Sequence, residues 1–381
     1  MGSKELIAKV FTELADALET GRMAGPRIRV GVTTLGSEHG VEEVVKGAEL
    51  AAEKDTSIDV VLVGPKVESK LAQEVCDSED AAHKRMEELL KGGELSAAVT
   101  MHYPFPVGVA TVGRVITPAR GKPLLLATTT GTSAAERVPA LLKNTVYGIA
   151  VAKSLGIAEP TVGILNIDGA RQLERQLKEL AEHGYLIHFG QTVRADKGAI
   201  MRGNDLLAGS PDIMVCDTLT GNLLMKIFSA YHTGGSYEAL GYGYGPGVGP
   251  GWQYIVNIIS RASGAPVIAG AVAFAAACAA AGLPQIMEQE WQAAKRAGIE
   301  ELLAPPTREK ETVEEIQPPP KKPTGAEIGG VDVLEIEDAA RELWRQGIYA
   351  ETGMGCEGPV VLVAAEDKDQ AAAVLKQGGY I

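Results

Sequence analysis

Cysteine is scarce: four residues in 381, at positions 76, 216, 278 and 356. No pair has metal-site or disulfide-framework spacing, which makes a reducing cytoplasm the expected location. Aromatic residues make up only 5% of the chain, whereas glycine reaches 45 residues, a balance found in α/β enzymes with many tight strand-to-helix turns. Positive charge is also short. Lysine and arginine number 36 against 49 acidic residues, a formal charge of -13, so neither nucleic acid nor an anionic membrane is an expected partner. One long apolar run exists, APVIAGAVAFAAACAAAGLP (265–284). It is rich in alanine and bounded by prolines, and is expected to form a buried strand followed by a packed helix, not a membrane span. The opening MGSKELIAKVFTELADALETG lacks the layout of a targeting signal and predicts a charged amphipathic helix within residues 1–25. No Walker loop, no G-x-G-x-x-G after a strand, no histidine metal motif and no fixed repeat occur.

What is present is alternation. From residue 27 to about 300, strand-like runs (RIRVGV, IDVVLVG, AAVTM, KPLLLA, TVGILN, YLIHFG, DIMVCD) alternate with amphipathic helical patterns. That order predicts a doubly wound, mostly parallel α/β sheet within residues 26–303. Proline and charge then dominate 304–328 (APPTREKETVEEIQPPPKKPTG and onward), the composition of an extended linker. Roughly twenty residues of such chain reach about 60 Å at ~3.1 Å each. Residues 329–381 read as a small β-α-β-β-α unit opening on VDVLEI, marginal in size by itself and expected to dock on the body.

Three strand ends carry hydroxyl and glycine clusters: Thr33-Thr34-Leu35-Gly36-Ser37, Thr128-Thr129-Thr130-Gly131-Thr132-Ser133, and Asp217-Thr218-Leu219-Thr220-Gly221-Asn222. In open α/β sheets ligands gather beyond the C-terminal strand ends. Three such loops meeting in one cleft would suit phosphate; each alone is more often a helix cap. The stretch GGSYEALGYGYGPGVGPGW (234–252) reads as a surface loop or as a lid whose amides, around Gly245 and Gly247, approach an acyl or phosphate group. His39 and His102 lie near strand ends, where they could orient phosphate, while His83 and His183 fall on charged helices. Cys216 and Cys278 sit in apolar segments as small core residues. Cys356 differs. It stands between Gly355 and Gly358 in GMGCEGP, where backbone can approach a substrate and offer N–H groups to an oxyanion.

SPDIMVCDTLTGNLLMKIFSA (210–230) resembles the signature of PlsX-type phosphate acyltransferases, an Asp-x-x-x-x-Asp-x-x-x-Gly-Asn pattern followed by an aliphatic-lysine helix. KPLLLATTTGT, EPTVGILNI, HFGQTVRADKGAIMRGNDLLAG and GYGYGPGVGPG follow that family's order. The likeness implies a fold akin to phosphate acetyltransferases and isopropylmalate dehydrogenases. The chain departs from it at VTTLGSEHG and AVTMHYPFPVGVATV, and those proteins lack the linker and the GMGCEGP unit. With its tail included, the chain resembles the family of alpha subunits of component C of the glycine/sarcosine/betaine reductase complex.

That resemblance implies an acyltransferase subunit that passes an acetyl group from a thioester to inorganic phosphate, giving acetyl phosphate, with no cofactor or metal. Cys356 would carry the acetyl group. Asp217 and Asn222 map to the signature as catalytic residues, together with Thr220 and Gly221. Thr33, Thr34, the Thr128–Ser133 loop, Thr218, Gly245 and Gly247 would hold substrate, and Gly355 and Gly358 would support the oxyanion. The implied partners are a ketoacyl-synthase-like beta subunit and the selenoprotein component A as donor, in a homo- or hetero-oligomer. Two alternatives stay open: a stand-alone phosphate acyltransferase using a soluble acyl thioester, and a non-catalytic partner-binding subunit.

Overall fold

The computed structural model describes residues 11, 12, 15, 27–195, 197–304, 316–355 and 358–381. Most of the expected N-terminal helix, most of the acidic half of the linker, and Cys356 lie outside the described residues.

The chain runs β1 (Ile28–Thr33), α1 (Val41–Lys54), β2 (Ile58–Gly64), β3 (Ala72–Val75), α2 (Glu79–Lys91), β4 (Ala97–Thr100), β5 (Ala110–Ile116) and β6 (Pro123–Gly131). Next come α3 (Arg137–Ser154), β7 (Thr161–Leu165), α4 (Ala170–Glu182), β8 (His188–Phe189), β9 (Ile200–Met201), α5 (Gly203–Ala208), β10 (Ile213–Val215) and α6 (Thr218–Ala230). The body closes with β11 (Gly245–Val248), β12 (Val256–Ile258), α7 (Ala265–Ala281), α8 (Leu283–Arg296) and α9 (Ile299–Leu303). Then follow β13 (Ala326–Gly329), α10 (Ile336–Arg345), β14 (Ala350–Gly355), β15 (Gly358–Val363) and α11 (Lys368–Gln377).

Strands β1 to β12 form one mostly parallel sheet in the order β3-β2-β1-β4-β12-β11-β5-β6-β10-β7-β8, with β9 also on β7. Central strands such as IDVVLVG are apolar on both faces because helices cover both. Helices α1, α3, α4, α7 and α8 supply one core layer, with Leu142, Leu173, Ile268 and Met287 in it. Helices α2 and α6 supply the other through Met86, Met225 and Phe228. In α4 the apolar residues Leu173, Leu177 and Leu180 fall on one face and are buried, while the opposite face stays charged. The α/β doubly wound architecture is therefore present.

Strand direction decides where the loops go. β1, β2, β4 and β12 run parallel to one another, β11 is antiparallel to β12 and to β5, and β6 is antiparallel to β5. β10 and β7 follow β6. The C-terminal ends of β1, β4 and β12 thus lie along one rim of the sheet, and those of β6, β7, β10 and β11 along the opposite rim.

Several expectations need correction. The run 265–284 contains no strand: it is helix α7 from its first residues, with Pro266 in the first turn, and the strand that precedes it is Val256–Ile258. Alanine-rich composition allows the close packing of α7 on α1, where Gly47 faces the Ile268 side chain. The glycine-rich stretch is a surface loop only at its ends, with residues 234–236 and Gly251 exposed, and its middle is not a lid. Gly245–Val248 is a buried strand between β12 and β5; Gly245 has φ +86°, and a Cβ there would collide with the Val112 carbonyl, so both its conformation and its space require glycine. The charged segment before Lys91 holds an edge strand, β3, ahead of its helix.

The C-terminal unit keeps the expected element order, but VDVLEI is not its first strand. That strand is Ala326–Gly329, which begins inside the predicted linker and crosses its boundary, and residues 331–335 form the turn into α10. Its sheet runs β13-β15-β14 over its own core of Ile328, Leu343, Val361, Val363 and Leu375. Lys322 is tied to Asp367 at 2.7 Å and Thr324 to Glu351 at 3.1 Å, so the end of the proline-rich stretch belongs to this unit. Among the described residues no single helix is long and apolar enough to cross a membrane; α7 and α8 pass that test only as a pair, bent by 63°.

Candidate functional site

Two of the three hydroxyl loops meet; the third does not. The Thr128–Ser133 loop after β6 and the Asp217–Asn222 segment after β10 are neighbours on one rim, with Thr128 Oγ1 3.1 Å from Thr218 Oγ1. Thr33 and Thr34 end β1 on the opposite rim, five strand positions from β6, about 24 Å at ~4.8 Å per step. Helix α6 spans the gap: it starts at Asp217 and, about 20 Å on at ~1.5 Å per residue, leads to Tyr237, whose ring packs on His39 at 5.7 Å. The three-loop cleft expected from the sequence is thus corrected to a two-loop site.

Within that two-loop site most hydroxyls serve the fold. Asp217 is the N-cap of α6, accepting from Thr220 N–H at 3.0 Å and Thr220 Oγ1 at 2.7 Å. Its carboxylate therefore occupies the helix N-terminus that an anion would need. Arg137 lies 3.9 Å from it. Asn222 donates Nδ2 to the Thr129 carbonyl at 3.2 Å, and Gly221 is required because a methyl would collide with the Thr128 carbonyl. Thr129 Oγ1 donates to the Tyr244 carbonyl at 2.7 Å, and Ser133 Oγ to Asn144 Oδ1 at 2.6 Å, both buried. Thr130 Oγ1 shares a bond with Thr111, leaving exposed Thr132 as the hydroxyl of this loop open to solvent. Lys143 donates to the Ser133 carbonyl at 3.2 Å, and burial holds its ammonium pKa below the usual value. The PlsX-like signature thus knits β6 to α6, and the site's polar access narrows to Thr130, Thr132, Lys143 and the loop amides.

On the opposite rim Thr33 Oγ1 donates to Thr100 Oγ1 at 2.8 Å, and Thr34 Oγ1 is buried without a partner among the described residues. His83 is not a solvated helix residue: its Nε2 lies 2.9 Å from Thr100 Oγ1. His102 is exposed there. Beyond the end of β12 stand residues that sequence reasoning missed. Lys226 Nζ donates to Ser260 Oγ at 3.3 Å and lies 3.7 Å from buried Glu238, which accepts from Tyr244 and Ser263. Arg261 reaches Glu79 at 3.8 Å. The lysine in the helical part of the signature was the available signal; nothing in NIISRAS announced its partner.

Gly245 and Gly247 lie inside the sheet, where a side chain at Gly247 would meet the Phe105 ring. Gly355 and Gly358 are paired at the end of the β14–β15 hairpin, and Cys356 between them is outside the described residues. The other three cysteines are poor nucleophiles. Burial pushes the Cys216 thiol far up and the Cys278 thiol to about 12, and Cys76 is raised by partial burial and by nearby Glu74. Among the described residues no cluster of three metal-ligating side chains occurs.

The hairpin's unit docks on the body at the rim that holds the two-loop site. Asp332, buried, accepts from the Gly169 N–H at the head of α4 at 3.3 Å and from Leu334 N–H at 3.0 Å. Arg175 Nη2 reaches both Glu335 oxygens at 2.6 and 2.7 Å.

Comparison with known proteins gives the chain its family. A family model described as "Fatty acid synthesis protein" matches residues 28–362. The alpha subunit of component C of the glycine/sarcosine/betaine reductase complex from Peptoclostridium acidaminophilum is 55% identical over 381 residues, covering 99% of both chains. The chain belongs to this family of component C alpha subunits. Component C alpha subunits therefore share a body with wider relatives: a phosphate acyltransferase from Crocosphaera subtropica is 30% identical over 251 residues, 55% of this chain and 70% of that one. A solved branched-chain phosphotransacylase from Enterococcus faecalis is 19% identical with a TM-score of 0.48, covering 66% of this chain and 99% of that one.

Proposed function

We propose that this chain is the acyltransferase subunit of a component C, transferring an acetyl group from a thioester on Cys356 to inorganic phosphate. The observation that carries the proposal is identity of 55% along the whole length, tail included, to a component C alpha subunit. Phosphate acyltransferase relatives over the body point to the same class of reaction. The docking of the C-terminal unit at the rim of the Thr128–Ser133 loop supports it further, since thiol carrier and acceptor must share one side of the sheet.

The chemistry favours sulfur. A thiolate, with an unperturbed pKa near 8.5, accepts an acetyl group readily and leaves again more easily than an alkoxide. A phosphate oxygen attacks the thioester carbonyl and the C–O bond forms. The tetrahedral oxyanion is held by backbone N–H groups, the C–S bond breaks, and the electron pair departs on sulfur. Acetyl phosphate and free Cys356 thiolate result. The acetyl donor is the upstream selenoprotein component, reached through a ketoacyl-synthase-like beta subunit.

The test is acetyl phosphate formation by the purified chain with and without the beta subunit, combined with mass-spectrometric mapping of trapped acetyl label. Label on Cys356 and loss of product in Cys356→Ser are expected. Label elsewhere, or full turnover by Cys356→Ser, ends the proposal.

A second reading is favoured by Lys226, Ser260 and Arg261 on the opposite rim: a phosphate acyltransferase taking a soluble acyl thioester there. It predicts that Arg261→Gln and Lys226→Gln abolish turnover while Cys356→Ser retains it.

A further inference from the structure

The C-terminal unit does not close flat against the body. Between them lies a cleft of about 390 Å³. One wall is the end of β7, the head of α4 and the segment between β8 and β9; the other is the turn from β13 into α10 together with Pro359 and Val360 of β15. Three arginines, Arg171, Arg194 and Arg202, are among its lining residues, in a chain whose net charge is -13.

Their placement runs against local preference. Arg171 is the second residue of α4, whose first turn holds no acid, so its cation faces the positive end of the helix dipole. Three carboxylates share the cleft, and two are engaged: Asp332 by the Gly169 and Leu334 N–H groups, Glu174 by Arg171 at 3.6 Å and Lys178 at 3.0 Å. Asp168 is exposed. Arg194 and Arg202 already hold interactions within the protein, so a ligand would join a connected network.

The body wall is also rigidly held. Buried Asp205 accepts from Thr192 Oγ1 at 2.8 Å, Val193 N–H at 2.8 Å, Arg202 N–H at 3.0 Å and Ser210 Oγ at 2.9 Å. That network fixes the backbone on both sides of the segment carrying Arg194 and Arg202 before any ligand arrives.

We propose that this cleft, not the hydroxyl loops, binds a phosphoryl dianion. Guanidinium forks match phosphate oxygens in pairs, and three of them around a recessed space suit a doubly charged group. Inorganic phosphate and the phosphoryl end of an acyl phosphate present the same chemistry. Assigning the anion as acceptor or product rests on the proposed acyltransferase function; the binding site itself does not.

The test is isothermal titration calorimetry of the full chain with inorganic phosphate, then with acetyl phosphate. Arg171→Gln and Arg202→Gln are each expected to weaken phosphate binding about tenfold or more, the loss of one charge-assisted donor. Arg341→Gln, on α10 and paired with Asp338 at 2.8 Å, serves as the charge control and is expected to bind as the parent does. Tighter binding of acetyl phosphate identifies the product as the ligand, tighter binding of inorganic phosphate the substrate. If either arginine variant fails to fold, phosphate-dependent hydrogen-exchange protection of residues 194–202 in the unaltered chain replaces it. Parent-like phosphate affinity in both variants, or no protection there, overturns the site. Phosphate binding without acetyl phosphate formation leaves the site standing and removes the function. Normal acetyl phosphate formation by arginine variants that have lost phosphate binding leaves the site standing and separates it from the acyltransferase reaction.

Discussion

Replacing Asp332 by alanine tests how the C-terminal unit is held. The carboxylate is 4% exposed and accepts two N–H groups, Gly169 across the contact and Leu334 within its own turn. Each bond to a charged acceptor contributes about 1.5–3 kcal/mol. The Leu334 bond is present whether or not the unit is docked, so only the Gly169 bond enters the docking equilibrium. Its loss shifts that equilibrium toward the undocked state by a factor on the order of 10 to 150. The Arg175–Glu335 pair adds less, because its side chains are 40% and 23% exposed; screening leaves about 0.5–1 kcal/mol. Hydrogen exchange read by mass spectrometry on peptides covering 166–175 measures the shift, with strand β2 as the internal reference. Asp332→Ala is expected to speed exchange at 166–175, Asp332→Asn to fall between it and the parent, and β2 to stay unchanged. Parent-like exchange at 166–175 in Asp332→Ala, with faster exchange confined to 331–335, would refute the docking role.

Two further outcomes follow from the body. Burial raises the Asp205 carboxyl, but the Arg202 and Val193 N–H groups and the Thr192 and Ser210 hydroxyls outweigh it and hold its pKa below the ordinary value. Its stabilisation is therefore complete above the unfolded pKa of about 3.9 and is lost as pH falls through the lower folded value. Urea midpoints measured down through that window should fall for the parent, with a flatter acid limb for Asp205→Asn; equal slopes would contradict the assignment. Gly221→Ala drives a methyl into the Thr128 carbonyl, and backbone on both sides prevents easy relief. A loss of about 3 kcal/mol or more is expected by chemical denaturation.

How much could be read without the fold varies with the range of the interaction concerned. The α/β alternation, the element order of the C-terminal unit and the family likeness were legible, because apolar periodicity and short motifs are local. The helix 265–281 was not, since a fully buried helix and a buried strand followed by a helix share one apolar composition. Nor was Gly245–Val248, where glycines that looked like flexible loop are there to let backbone approach backbone.

The sequence by itself determined the layers of the body and a thiol on a small unit behind a proline-rich stretch, while the cap role of Asp217 came from the fold. Only the tertiary structure decided which loops share a rim. Antiparallel β5 and β11 reverse strand direction in mid-sheet, which carries Thr33 and Thr34 away from Thr128 and Asp217. It likewise decided that Arg171, Arg194 and Arg202 face the C-terminal unit, because a cleft between two bodies arises from contacts more than 150 residues apart in the chain, such as Gly169 with Asp332, |i−j| = 163.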